Sequence, residues 1–143
     1  MSKGNTFEND LLKLIFNGDT IANIADDAGT SPLTNLFVSL HTADPGEAGT
    51  QDTSECAYTN YARVSVARTS GGWTVSGNSV SPAANIDFAD GTTGDSETAT
   101  HFAVGVASTG ATKILYKGAL SPTISIADGV TPRITTSSTI TED

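Results

Sequence analysis

The hydrophobic pattern divides the chain near residue 35. Before it, NTFENDLLKLIFNGD places Phe7, Leu11, Leu14 and Ile15 at helical spacing, with Leu12 and Phe16 widening the stripe. Asn5 or Thr6 is the expected cap, with Glu8 three residues after Asn5, and Asn17-Gly18 the expected stop. TIANIADDAG adds a possible short helical turn through Ile21 and Ile24, and AGTSPLTN reads as a linker.

From residue 36 the period changes to two. LFVSLH (36–41) sets Leu36, Val38 and Leu40 against Phe37, Ser39 and His41. YARVSVAR (61–68) alternates Ala62, Val64 and Val66 with Tyr61, Arg63 and Ser65. Gly71-Gly72 is a hairpin signal before WTVSG, with Trp73 and Val75 on one face. Ile86 and Phe88 mark another strand, THFAVGVAS and TKILYKGAL read as a hairpin, and SPTISIAD and SSTITED supply further short strands. The expectation is an all-β fold: a compact β-sandwich or barrel of about 7–9 short antiparallel strands preceded by one N-terminal α-helix. The domain reading is 1–35 for helix and linker and 36–143 for the β-sandwich domain.

Composition supports the strands, since roughly a quarter of the 143 residues are Ser or Thr. A net charge of −9 and only seven Lys and Arg argue against a nucleic-acid partner. Cys56 is the single cysteine, so neither an internal disulfide nor a cysteine metal cluster is expected. No signal-peptide pattern and no apolar run of membrane-spanning length are visible. The expected product is therefore soluble, without a membrane partner.

Candidate chemistry is thin. His41 and Asp44 flank the turn in LHTADPG, and His101 lies far along the chain, but HExxH spacing and a third ligand are missing. The expected role is structural, His41 donating to a turn carbonyl and Asp44 capping the turn. Cys56 sits beside Glu55, which opposes thiolate formation. Asp87, Asp90, Asp95 and Glu97 lack EF-hand spacing and read as solvated loop acids. Arg63 and Arg68 are expected to cover apolar surface with their stems while their heads reach water. No catalytic residue, cofactor or metal site is assigned. The helical stripe Phe7, Leu11, Leu14 and Ile15 is the candidate partner-docking element, by analogy with helix-in-groove binding.

LFVSLHTADPGEAGT, YTNYARVSVAR, GGWTVSGN, ATHFAVGVAS and ILYKGALS together resemble a family of small tailed-phage and prophage virion proteins, often labelled tail fibre or structural protein. The resemblance runs from about Leu36 to Asp143, including the TITED ending. It implies a non-enzymatic bacteriophage virion component, made and assembled in the host cytoplasm, with the major capsid protein or another virion subunit as partner. A homo-oligomer, such as a trimer, is compatible with it. The lack of repeats and the acidic charge favour capsid decoration on the outer head surface. The alternative is a tail or tail-fibre-associated component, with Trp73, Tyr58 and Tyr61 as candidates for stacking on a receptor glycan.

Overall fold

A computed structural model describes residues 5–21 and 32–142. Among these residues a helix α1 (Asn5–Leu12) runs on into a π-helical segment (Lys13–Asn17). Nine strands follow: β1 Asn35–His41, β2 Val64–Ala67, β3 Trp73–Ser76, β4 Ser79–Pro82, β5 Ile86–Asp87, β6 Thr98–Gly105, β7 Ile114–Ser125, β8 Arg133–Ile134 and β9 Ile140–Thr141. They form a four-stranded sheet β2-β1-β6-β7, a three-stranded sheet β3-β4-β9 and a two-stranded sheet β5-β8. The fold is all-β after one N-terminal helix. No sheet closes on itself, so the barrel half of the expectation does not apply.

The chain packs as two compact units. Unit one takes residues 1–35, 67–85 and 135–143. In it α1 packs against β3 and β4, with Leu12, Phe16, Trp73 and Val80 buried. Unit two takes residues 36–66 and 86–134, with Leu36, Val38, Leu40, Ala103, Val104 and Ile126 in its core.

Local chemistry explains much of this. The strongest hairpin signal is Gly77-Asn78: Ser76 pairs with Ser79, and Gly77 takes φ +61°, which suits the first position of a two-residue hairpin loop. Gly71-Gly72 makes a turn and not a hairpin. Gly72 and Trp73 both donate their backbone N–H to Thr69 O, and β2 and β3 belong to different sheets. Strand β2 is also shorter than its alternation suggests: it covers Val64–Ala67, and Arg63 turns inward while Ala62 is exposed.

The described part of the helix begins at Asn5, so Asn5 and Thr6 both lie within α1. The C-terminal stop is where expected, with Gly18 at φ +74° and its N–H returned to Lys13 O. Ile21 is buried, whereas Ile24 lies outside the described residues, as does the first half of the linker.

Strand β1 pairs with β6 from Phe37↔Gly105 to His41↔His101, and β6 pairs with β7 as the expected hairpin. Strand β7 is a single 12-residue strand in which the ILYKGAL and SPTIS segments are continuous. Its ladder is broken where Ala99↔Ile124 gives way to His101↔Ala119, leaving Leu120 to Thr123 opposite Thr100 alone.

Candidate functional site

An α-helix turns about 100° per residue, so Glu8, Leu12 and Phe16 point to one side and Phe7, Leu11 and Leu14 to another. The structure keeps these two sets apart. Leu12 and Phe16 are fully buried, and the Phe16 ring meets Trp73 edge-on with centroids 4.7 Å apart. Phe7 is 40% exposed, and Leu11, Leu14 and Ile15 are half-buried. The segment Lys13–Asn17 continues the helix with wider π-helical turns, which rotate less per residue, and Phe16 stays on the buried side with Leu12. What reads as one broad stripe is thus a core face and an outer face.

Arg68 anchors the end of this helix. Its Nε donates to Ile15 O at 2.6 Å, Nη2 donates to Leu14 O, and Nη1 donates to Leu33 O at 3.2 Å. Its head is spent on carbonyls that the helix terminus leaves open, contrary to the expectation that it reaches water. Asn9 Nδ2 ties the same helix to Gly77 O in the β3–β4 turn at 2.6 Å.

In unit two the LHTADPG motif is structural. His41 is fully buried, a position its place at a strand end does not reveal. Its Nδ1 lies 2.9 Å from Thr53 O, and its Nε2 lies 2.9 Å from Ser39 Oγ. A carbonyl only accepts, so Nδ1 carries the proton and Nε2 accepts from the serine hydroxyl. Burial is the main cause of a lowered His41 pKa, so the ring is held neutral. The Ser39–His41 pair resembles a nucleophile and its base, but both residues are fully buried and no carboxylate orients the ring. Asp44 accepts from Lys117 Nζ at 2.8 Å and from Gly46 N–H, and these bonds, the lysine's first, hold its carboxyl below the usual range.

A second polar cluster fastens the long loop after β1. Arg63 Nε and Nη2 donate to the two Glu55 carboxylate oxygens, each at 2.7 Å. Nη1 donates to Ala107 O and Nη2 to Gly110 O, so this head too is enclosed by its own unit. Tyr61 Oη accepts from Leu40 N–H and donates to Glu55. Gln51, fully buried, donates to Phe37 O and accepts from Thr112 Oγ1. Cys56 is buried here, and its thiol is pushed up to about 12 by burial first and then by Glu97 and Glu55. It is an inert core thiol rather than an exposed loop residue.

The loop acids have local duties. Asp95 accepts from the N–H and hydroxyl of both Thr59 and Thr92, Glu97 from Ala57 N–H, Asp90 from Thr131 and Asp87 from Arg133. Among the described residues, no three His, Cys, Asp or Glu side chains are grouped to hold a metal ion. No described helix is long and apolar enough to cross a membrane.

The aromatic candidates for sugar stacking are enclosed. Trp73 and Tyr58 are 2% and 5% exposed, and Tyr61 is half-buried, edge-on to Tyr58 and stacked over Phe88. The edge strands offer little to a neighbouring sheet: β7 carries Lys117, Pro122 and the Leu120–Thr123 bulge at its edge, and β9 has two residues. The outer face of α1 is left as the candidate docking element.

The family described as Podophage GP4 fiber I protein gp80 matches residues 2–142. The chain belongs to this family. As a member of the gp80 family it is a bacteriophage virion structural protein, associated with other virion components. The match includes the helix as well as the strands, whereas the resemblance read from the sequence began near Leu36. No curated protein matches the chain.

Proposed function

We propose that the chain is a non-enzymatic component of the phage tail fibre or its attachment, assembled in the host cytoplasm and held in the particle by another virion subunit. The match to a fiber I protein family across residues 2–142 carries this reading. It favours the tail-fibre alternative over capsid decoration, which rested on charge and the lack of repeats. The polar networks of both units support a structural role, because they close on their own backbones and present no reactive group.

Purified particles labelled with gold-conjugated antibody against the chain and viewed by electron microscopy test the reading. Gold confined to the tail is the expected result. Gold spread over the head would restore capsid decoration.

A further inference from the structure

Leu33 and the helix share one support. The Arg68 guanidinium donates to the carbonyls of Leu14, Ile15 and Leu33 together, so Leu33 is held beside the last turns of the helix. Phe7 and Leu33, 40% and 45% exposed, are the exposed large hydrophobic residues among those described. Leu11 and Leu14 are half-buried on the same outer face as Phe7, and Ile15 is half-buried next to Leu14 in the chain. Single exposed apolar residues on a soluble protein need no explanation. Here, however, they mark the two ends of one helix, Phe7 in its first turn and Leu33 beside its last, whose opposite face already supplies the core of its unit through Leu12 and Phe16.

We propose that Phe7, Leu11, Leu14, Ile15 and Leu33 form a docking patch for a segment of another virion subunit that carries apolar anchors flanked by lysine or arginine. This rests on the virion-component reading and adds the surface and the partner's chemistry. Charge selects the occupant. Around the patch the described residues of the helix and its exit carry Asp10 and Asp19 at the rim, with Lys13 as the cation among them, and the Arg68 head is committed to carbonyls. The whole chain carries a net charge of −9. A second copy would set like acids against these, whereas basic flanks gain attraction on approach and in register. The binding mode is that of an amphipathic helix face recognised through anchors at i, i+4 and i+7.

The test is complementation. Phage lacking the chain are grown in cells that supply it in trans, and its content in purified particles is measured by quantitative mass spectrometry. Phe7→Ser with Leu33→Ser removes the exposed ends of the patch and leaves Leu12 and Phe16 in place. This variant is expected to keep the wild-type thermal unfolding curve and to fall about tenfold in particle content, as loss of interface anchors does. Asp10→Lys with Asp19→Lys reverses the rim and is expected to lower content several-fold. Wild-type content for the serine variant overturns the patch. Unchanged or raised content for the lysine variant overturns the basic partner and points to an acidic one. Wild-type chain absent from particles overturns the virion-component reading itself, an outcome distinct from wild type incorporating alongside both variants.

Discussion

Glu55 and Arg63 form a bidentate ion pair, 2.7 Å on each arm, with the arginine side chain 2% exposed and the glutamate 15% exposed. The pair closes the loop after β1, because the same guanidinium also holds the carbonyls of Ala107 and Gly110 in the β6–β7 connection. Two loops distant in sequence are thereby fixed by one side chain.

Breaking this pair from one side leaves a buried charge without its partner. Arg63→Ala is expected to cost about 3–5 kcal/mol, and Tyr61→Phe, which strips the Leu40 N–H of its acceptor, about 1–3 kcal/mol. Urea unfolding followed by tryptophan fluorescence and by circular dichroism measures both. A loss below about 1 kcal/mol for Arg63→Ala would mean that water replaces the guanidinium at no real cost.

His41 introduces a pH dependence. Its folded pKa is depressed by burial. Above the unfolded imidazole value of about 6.5 both states are neutral, and the residue contributes no slope. As pH falls below that value the unfolded chain takes up a proton that the folded chain resists, so stability declines until the depressed folded pKa is passed. Urea midpoints from about pH 7.5 down to about pH 5 should therefore fall more steeply for wild type than for His41→Gln. Parallel slopes would show that the folded protein accepts the proton freely.

Gly105 makes room for Gln51. A Cβ built there lies 2.0 Å from Gln51 side-chain atoms, and Gln51 is committed to Phe37 O and Thr112 Oγ1. Gly105→Ala is expected to destabilise unit two by about 1–3 kcal/mol through overpacking and lost hydrogen bonds. Gly46→Ala meets no atom within 4 Å but must hold φ +74°, so its cost is set by backbone strain alone. That cost is about 1–2 kcal/mol. Thermal unfolding of both variants, with a repacked double variant Gly105→Ala/Gln51→Ala, separates the two causes: the second change should recover part of the Gly105→Ala loss.

Cys56 should resist thiol reagents in the folded chain. Burial and its acidic neighbours keep the thiol protonated. An aromatic disulfide reagent at about pH 8 is expected to label it only when denaturant is added. Rapid labelling of the native chain would mean that the loop after β1 opens locally.

Removing Arg68 should loosen the helix. Arg68→Ala leaves the carbonyls of Leu14 and Ile15 without their charged donor. Hydrogen bonds from a charged group contribute about 1.5–3 kcal/mol. The near-ultraviolet signal of Trp73, which packs edge-on against Phe16, should weaken accordingly. An unchanged signal would show that Leu12 and Phe16 hold the helix without help.

The all-β class, the N-terminal helix, its stop at Gly18 and the β6–β7 hairpin were all legible, because each depends on periodicity or turn chemistry within a few residues. Arg63, Arg68 and Gln51 were not. Such side chains usually face water, and only their bonds to carbonyls far along the chain show Arg63 and Gln51 to be interior groups and Arg68 to be a half-buried anchor. The helical stripe was visible but undivided, since Leu12 and Phe16 cannot be told from Leu11 and Leu14 until Trp73 is placed against one set.

The sequence by itself determined local conformation and family: alternation makes strands, Asn17-Gly18 stops the helix, and the family match runs over residues 2–142. Tertiary structure alone decided the partners. It brought Ile140 beside Val80, set His41 opposite His101, and turned Arg63 inward to Glu55. The physical reason is range. Backbone preferences and hydrophobic period act over neighbouring residues, whereas strand pairing and the satisfaction of buried charges depend on which distant groups the folded chain brings within hydrogen-bond reach.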